Sequence, residues 1–287
     1  MGSDVAATGK LVLCPTPLGN LEDITLRVLR ALRESDVIFA EDTRVSKKLL
    51  HHFDIHTPLQ SFPEGAHATR LRTLRSYLRE GKTVAMVSDA GMPGISDPGA
   101  ELVREAHACG AAVEALPGPS AVPGALVLSG FAANAFRFDG FPPRKPGERR
   151  AYLGSLEHET TPVIWFEAPN RIRALLEDAA AVLPERRLFV LREYTKRFEQ
   201  HLWGTAQRVL GELDTPRGEF TIVLEGIRAN RRADRTAPDA RALAAALKYL
   251  RETGMSAKDA TEALRLATGL PRNELYRLAI QPARKPP

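Results

Sequence analysis

Four segments of the chain combine glycine, proline and polar residues more densely than ordinary connections do. In chain order they are PTPLGNLEDIT (15–25), AEDTRVSKKLL (40–50), SDAGMPGISDPG (88–99) and LPGPSAVPGAL (116–126). The third holds three Gly, two Pro and two Asp in 12 residues. Glycine lets a ligand approach the main chain closely and proline stiffens the backbone, so this segment predicts a rigid ligand cradle.

The first and fourth segments resemble this cradle in composition. Pro15 and Pro17 follow an apolar run directly, at the position where ligands bind in open α/β sheets, whereas Asn20 is typical of a helix cap. In the fourth segment, Ser120 precedes an apolar helix, which it can cap while backbone N–H groups remain for a ligand. The residues of both segments therefore favour a role in ligand binding.

The second segment carries charge. Glu41, Asp42 and Arg44 follow another apolar run within four residues. Two carboxylates beside an arginine can form a structural ion-pair cluster, or can bind a sugar hydroxyl or a cationic group. The charge pattern favours neither reading.

Several classes of site are not supported. The sequence has no GxxxxGK[ST] phosphate loop, no GxGxxG after the first apolar run and no HExxH zinc motif. The spacing of His51, His52 and His56 does not place three ligands on one helical face. Cys14 and Cys109 are far apart and form no CxxC, which favours a reduced, intracellular setting. No metal site is predicted.

Short apolar runs that alternate with amphipathic segments must position the four turn-rich segments. They predict an α/β layer with a largely parallel sheet over residues 1–118. The strands are LVLC (11–14), VIFA (37–40), TVAMVS (83–88) and AAVEAL (111–116), and the helices cover 26–35, 46–53 and 67–80.

The pattern changes after residue 118. The closer succession of strands predicts a mixed sheet and a second α/β domain over 119–228, followed by a basic linker and a helical appendage over 229–287. The predicted strands are 162–168, 187–194, 198–204 and 219–226, with helices near 119–130 and 170–183 and three short helices after residue 239.

Composition narrows the function further. The 287 residues are 44% hydrophobic and 26% charged, which is typical of a globular protein, and the net charge of +5 permits a nucleic-acid partner without requiring one. The uncharged stretch 115–136 contains three prolines, which disfavours a membrane helix. No secretory signal is visible at the N-terminus. A cytoplasmic protein is expected.

In their order and spacing, the four segments resemble the tetrapyrrole-methylase superfamily. Three more segments, FPPRKPGERR (141–150), WFEAPNRI (165–172) and REYTKRFEQHLWG (192–204), are similar to its branch that methylates a cytidine ribose in small-subunit ribosomal RNA. The resemblance covers about residues 10 to 226. Tyr194 departs from the more usual leucine, which we interpret as a packing change.

The resemblance implies two unlike α/β domains with S-adenosyl-L-methionine in the cleft between them, and a small C-terminal helical segment. It also implies a homodimer. The cofactor contacts carried over by position are Pro17, Asp89, Gly91, Ile95, Ser120, Ala121, Phe166, Glu167 and Ala168.

The implied reaction moves a methyl group from a sulfonium to the 2′-oxygen of a decoding-centre cytidine in 16S ribosomal RNA. A ribose hydroxyl is a very weak acid, so a base or a polarising group is expected beside it. Glu41 or Asp42 can accept the proton, and Arg44 or Lys196 can stabilise the developing charge. The candidates, which the sequence does not rank, are Glu41, Asp42, Arg44, Glu193 and Lys196.

Two basic clusters become candidate phosphate contacts under this reading, although a basic run is also typical of a solvated linker. The predicted contacts are Arg144, Lys145, Arg149, Arg150, Arg231 and Arg232. The C-terminal helices can serve as an RNA-docking module or as a brace for a dimer.

Two other functions are compatible with parts of the sequence. One is a precorrin-type tetrapyrrole C-methyltransferase, which the AEDTR and REYTK segments and the basic clusters disfavour. The other is a non-catalytic RNA-binding assembly protein with a relic pocket, which the intact glycine-rich cradle disfavours.

Overall fold

The computed structural model describes residues 9–62, 67–97, 99–214, 216–227, 240–268, 270 and 275. The chain divides into two compact units, Met1–Glu157 with Thr161–Glu225, and His158–Thr160 with Gly226–Pro287. The first unit contains two β-sheets, and the second contains the C-terminal helices. Within the described ranges, no helix is both long enough and apolar enough to cross a bilayer.

The first sheet is entirely parallel, with the strand order β3-β2-β4-β1-β5. Its strands are β1 (Lys10–Leu13), β2 (Val37–Ala40), β3 (Leu59–Ser61), β4 (Thr83–Val87) and β5 (Ala112–Ala115). Its helices are α1 (Leu26–Glu34), α2 (Thr43–His52), α3 (His67–Arg79) and α4 (Gly99–Ala108).

Successive side chains of a strand point to opposite faces of this sheet, and apolar side chains cover both faces. Leu11 and Leu13 pack with the α3 and α4 side, whereas Val12 and Cys14 pack with the α1 side. This is the two-sided burial that a parallel sheet requires. Burial raises the pKa of Cys14 to about 12, so its thiol is an inert part of the core.

The second sheet is mixed, with the order β6-β7-β10-β8-β9, in which only β6 and β7 are parallel. Its strands are β6 (Arg137–Phe138), β7 (Val163–Glu167), β8 (Arg187–Arg192), β9 (Gln200–Thr205) and β10 (Phe220–Leu224). Its helices are α5 (Ala121–Ser129), α6 (Pro146–Ser155), α7 (Ile172–Val182) and α8 (Ala206–Glu212). Helices α6, α7 and α8 cover one face and α5 covers the other.

The expected fold, with two unlike α/β sheets and a mixed second sheet, is confirmed. The predicted boundary at residue 118 separates the strands of the two sheets, and both sheets lie in the first compact unit. Strands β3 and β6 and helices α4, α6 and α8 were not predicted. The two strands have three and two residues, too few for a periodic pattern.

The second unit contains α9 (Ala240–Glu252) and α10 (Ala257–Thr268). Leu247 and Ala260 are buried together, with Leu250 and Leu264 packed against them. Ser256 caps α10 by accepting a hydrogen bond from the Asp259 N–H at 3.1 Å. The third predicted helix falls outside the described residues except for Leu275, which is buried.

A buried ion pair joins α6 to α7. The Arg149 guanidinium lies 2.6 Å from the Asp178 carboxylate and also donates to the Arg144 carbonyl at 3.2 Å. Arg150 reaches the other oxygen of Asp178 at 2.6 Å, but its side chain is 63% exposed. Burial raises the pKa of Asp178, and the hydrogen bonds from Arg150 and Arg149 outweigh it, so the pKa lies below its ordinary value.

This arrangement bears on the predicted phosphate contacts. Arg149 is only 6% exposed and its guanidinium is used inside the protein, so it holds two helices together and does not face an RNA phosphate. In the sequence Arg149 is part of a basic run, and its partner is not evident because the Asp178 carboxylate lies 29 positions further along the chain.

Replacing Arg149 with methionine should lower the free energy of unfolding by about 3 kcal/mol, because it removes the buried cation beside the Asp178 carboxylate. The matched control is Arg150→Met, which should cost about 1 kcal/mol or less because Arg150 is mostly exposed. Urea unfolding measures both. Equal losses would mean that the buried pair has no special role.

The lowered pKa of Asp178 predicts a pH dependence of stability. Its contribution is fully present above the unfolded-state pKa of about 4 and is lost as the pH falls through the lower folded-state pKa. The stability difference between the unaltered protein and Asp178→Asn should therefore narrow below about pH 4. A difference that stays constant in acid would contradict the assignment.

Candidate active site

The first sheet brings the four turn-rich segments to one edge. Segments 40–50, 88–99, 15–25 and 116–126 follow β2, β4, β1 and β5, which are neighbours in that order. Because carboxyl ends of parallel strands meet at the same edge, the segments converge where open α/β sheets bind ligands.

Backbone hydrogen bonds join the loops after β1 and β4. Thr16 and Gly91 exchange N–H···O bonds of 3.0 Å in both directions. The Thr16 hydroxyl also donates to the Ser88 carbonyl at 3.1 Å, and the Ser88 hydroxyl donates to the Gly91 carbonyl at 3.1 Å. Thr16 and Ser88 are buried, so these bonds are protected from water. The sequence had not singled out either hydroxyl.

Gly91 lies where three of the segments approach one another. It has φ +81°, and a Cβ there would lie 3.0 Å from Leu18 Cδ2 and 3.6 Å from the Pro119 carbonyl oxygen. Pro15 packs against Gly118 in the same way, since a Cβ on Gly118 would come within 2.6 Å of it. These two positions need glycine for close approach.

The cradle after Gly91 is closed by Asp97. One oxygen of its carboxylate accepts from the N–H groups of Gly94 and Gly99, both at 2.7 Å. Ser96, between them, adopts φ +63°, a conformation that is strained for a non-glycine residue. Ile95, in this turn, has 37% of its surface exposed.

The charged segment after β2 is an ion pair and a helix cap. The Asp42 carboxylate accepts from the Arg44 N–H at 2.8 Å and lies 2.6 Å from its guanidinium. These hydrogen bonds from Arg44 lower the pKa of Asp42 to about 2. The Asp42 N–H donates to Asp89 at 3.1 Å, and partial burial raises the pKa of Asp89 against that bond. Asp89 is thus the stronger base of the two.

The start of α5 offers backbone donors. Ser120 stands at the N-cap but its side chain makes no capping bond, contrary to the expectation that it caps the helix. In the described part of the chain, no acceptor is recorded for the N–H groups of Ala121 and Val122. Such donors at a helix N-terminus favour an anionic group.

The residues expected from the second sheet lie at the end of β7. Phe166 is half-buried and makes edge contacts with Phe138 and Phe141 at centroid distances of 4.9 and 6.0 Å. The Glu167 carboxylate is buried; Oε1 accepts from the Ala168 N–H at 2.9 Å, while Oε2 has no hydrogen-bond partner among the described residues. Burial raises its pKa.

The loop after β8 is strained and tightly bonded. Glu193 and Thr195 have φ of +51° and +65°. The Glu193 carboxylate accepts from Lys196 Nζ and from the Glu219 N–H, both at 2.9 Å, and Lys196 Nζ also lies 3.0 Å from the Glu219 carboxylate. The Thr195 hydroxyl accepts from the Asn20 N–H at 3.2 Å, which ties this loop to the segment after β1.

These contacts shift both pKa values of the Glu193–Lys196 pair. Burial raises the pKa of Glu193, but the hydrogen bonds from Lys196 and Glu219 lower it overall. Burial lowers the pKa of Lys196, but the bonds to Glu193 and Glu219 raise it overall. Both groups therefore remain charged at neutral pH, and Glu193 is a weak base.

Three glycines make room for this loop. A Cβ on Gly19 would overlap the Lys196 side chain, and one on Gly218 would overlap the Glu193 side chain. A Cβ on Gly124, in α5, would lie 2.6 Å from Tyr194 Cε1. The residue that departs from the family pattern thus packs against the helix that begins with Ser120 and Ala121.

The predicted residues form connected groups. Asp89, Gly91, Ser120 and Pro17 belong to segments on one sheet edge, and the Asn20–Thr195 and Gly19–Lys196 contacts link that edge to the loop after β8. Arg144, Lys145 and Arg150 are exposed on the second sheet's side. Arg231 and Arg232 lie outside the described residues. Over the ranges that the structure covers, no cluster of three or more His, Cys, Asp or Glu could hold a metal.

Comparison with known proteins matches the chain to one family and to relatives that share one name. Residues 10–210 match the family described as Tetrapyrrole (Corrin/Porphyrin) Methylases. A Thermotoga maritima protein named Ribosomal RNA small subunit methyltransferase I is 44% identical, covering 76% of this chain and 99% of its own length. The protein of that name from Halalkalibacterium halodurans is 38% identical over 95% of both chains.

Solved structures share the fold. A Uroporphyrin-III C-methyl transferase from Thermus thermophilus, complexed with S-adenyl homocysteine, is 17% identical with a TM-score of 0.51. The match covers 75% of this chain and 97% of that one.

Packing at Gly124 can be tested by Gly124→Ala, which should destabilise the protein because the new methyl group displaces the Tyr194 ring. The matched control is Gly154→Ala in α6, where the Cβ would lie 3.9 Å from Val182 Cγ1. That change should be neutral or stabilising by up to about 1 kcal/mol through helix propensity.

In a Tyr194→Ala background, Gly124→Ala should no longer destabilise, and thermal unfolding of the four variants measures this coupling. If Gly124→Ala is as stable as Gly154→Ala, the packing of Tyr194 does not depend on the lack of a side chain at Gly124.

Proposed function

The chain belongs to the tetrapyrrole (corrin/porphyrin) methylase family, and we propose that it is an S-adenosyl-L-methionine-dependent methyltransferase acting on small-subunit ribosomal RNA. The observation that carries this proposal is the 38% identity over 95% of the chain to a relative named for that activity. The finer part of the proposal is that the acceptor is the 2′-oxygen of a decoding-centre cytidine and that the enzyme is a homodimer in the cytoplasm.

The residues at the edge of the first sheet fit the proposed cofactor. The N–H groups of Ala121 and Val122 suit its carboxylate, Asp89 suits its ammonium group, and Gly91 lets the segments after β1 and β5 close on the cradle. Pro17, Ile95 and the Phe166–Ala168 segment complete the proposed set. When bound, the cofactor supplies an electrophilic methyl group on a sulfonium.

The chain's own groups would position the ribose and take up its proton. The pKa values of Asp42 and Glu193 are lowered, whereas Asp89, whose pKa is raised, is placed at the cofactor's ammonium group and not at the ribose. Asp42 is held by Arg44, and Glu193 by Lys196, which suits these pairs to orienting substrate. Glu41, beside Asp42, remains a proposed proton acceptor. Lys196 keeps one of its three donors for a substrate oxygen.

The proposed RNA contacts are Arg144, Lys145 and Arg150, since Arg149 is buried against Asp178 whereas Arg150, which also bonds Asp178, is 63% exposed. Lys145 pairs with Glu148 at 3.0 Å in an exposed, weak contact that a phosphate can displace. Phosphate contacts of this kind supply affinity and register.

Cofactor binding is tested by Gly91→Val, which should abolish binding of S-adenosyl-L-methionine because the new side chain meets Leu18 and Pro119 and pushes apart the segments that form the cradle. The matched control is Gly110→Val: it also has a positive φ, +70° against +81°, but nothing lies within 4 Å of its Cβ. Both changes strain the backbone, and only the first should lower the affinity that calorimetry measures. Unchanged affinity in a folded Gly91→Val protein would mean that the cradle is misassigned.

The acceptor is tested by incubating the enzyme and labelled cofactor with small ribosomal subunits, free small-subunit ribosomal RNA and a tetrapyrrole precursor. Transfer to RNA, followed by mapping of an alkali-resistant ribose, is the expected result. Transfer only to the tetrapyrrole would overturn the proposal in favour of C-methylation. Label in a base instead of a ribose would keep the RNA substrate and reject the 2′-oxygen.

A further inference from the structure

A cavity of about 660 Å³ lies between two turns of the second sheet's side. One turn follows β6, and the other connects β7 to α7. The cavity is lined by Phe141, Pro142, Pro143, Arg144, Ala168, Asn170 and Arg171. Its volume is in the range of small-molecule and nucleotide sites.

Arg171 fixes the two walls of this cavity relative to each other. Its guanidinium donates to the Pro142 carbonyl at 2.6 Å, on the opposite turn. Its Nε lies 3.2 Å from Oε1 of Glu167, which the Ala168 N–H also holds. Glu167 is fully buried, but Arg171 Nε makes no hydrogen bond with a described residue, so the bond to the Pro142 carbonyl is the contact that ties the two turns together.

The lining presents three kinds of binding group. Phe141 is 51% exposed and rests with an edge contact on Phe166. Arg144 and Asn170 are exposed, and neither side chain has a hydrogen bond or ion pair recorded with another described residue. An aromatic face, an amide and a guanidinium are the groups that stack a base, read its edge and hold its phosphate.

We propose that this cavity takes up one unstacked nucleotide of the RNA substrate, with its base on the ring of Phe141 and its phosphate near Arg144. The proposal rests on the proposed RNA-methylating function. A base inside a duplex has both faces stacked and cannot place one on the Phe141 ring, so the ligand is a single-stranded or flipped-out nucleotide. The neighbouring exposed cations Lys145 and Arg150 continue the positive charge along the strand's path.

Phe141→Leu tests the stacking contact, because leucine keeps an apolar side chain and removes the aromatic face. Its affinity for unmethylated small-subunit ribosomal RNA, measured by filter binding, should fall about 5-fold to 150-fold. Phe141→Tyr should restore affinity. The matched control is Phe136→Leu, another exposed phenylalanine, which is 47% exposed and does not line the cavity. Thermal unfolding of each variant establishes that the fold is intact, and cofactor affinity is measured separately because Phe141 contacts Phe166 of the proposed cofactor set.

A second measurement identifies the nucleotide itself. In a series of RNA fragments that each carry one abasic position, only the fragment that lacks the bound base should have a low affinity for the unaltered protein. In Phe141→Leu, that same abasic position should cause no further loss, since the two changes remove the same contact. Additive losses would place the base elsewhere.

The outcomes distinguish a failure of the pocket proposal from a failure of the proposed function. If Phe141→Leu binds and methylates ribosomal RNA as Phe136→Leu does, the pocket proposal is wrong and the proposed function stands. If the unaltered protein binds cofactor but neither binds nor methylates any ribosomal RNA, the function fails and the pocket proposal fails with it.

Discussion

The packing of one loop between three glycines is the constraint on which the rest of the site depends. Residues 193–196 carry two non-glycine residues with positive φ, each costing about 1–2 kcal/mol, so surrounding contacts must hold them. Those contacts come from Gly19 after β1, Gly124 in α5 and Gly218 before β10. Side chains at these positions would separate the loop from the segments that carry Pro17 and Ser120. The absence of three side chains thus lets this loop lie against two of the segments that carry proposed site residues.

Ion pairs also hold these loops in position. Asp42 with Arg44, and Glu193 with Lys196 and Glu219, fix loop positions through hydrogen bonds of 2.6–3.0 Å. The partner that fixes each carboxylate also lowers its pKa, which weakens it as a base. A structural ion pair and a functional role are therefore compatible for such a cluster, because the pair holds loops that carry the proposed site residues.

The sequence predicted what depends on local pattern and missed what depends on distant partners. Buried strands followed by turn-rich segments place Gly91 and Ser120 on one edge, because adjacent parallel strands share their carboxyl ends. Arg149 has the same local signal as exposed Arg150, and only the fold shows that Asp178 takes its guanidinium. Likewise Arg171, within the quoted WFEAPNRI segment, acquires its role from Pro142, 29 positions away.

The structure's emphasis on rigid backbone follows from the chemistry proposed for it. A ribose hydroxyl is far too weak an acid for a carboxylate to ionise it completely, so a base can assist only as the new bond forms. Two of the candidate proton acceptors, Asp42 and Glu193, have lowered pKa values, which makes both of them weak bases. Most of the acceleration must then come from holding nucleophile and methyl group in line, for which orientation alone can supply about 7–11 kcal/mol. A loop held in strained φ values, a cradle closed by Asp97 and a pocket tied by Arg171 are means of holding partners still.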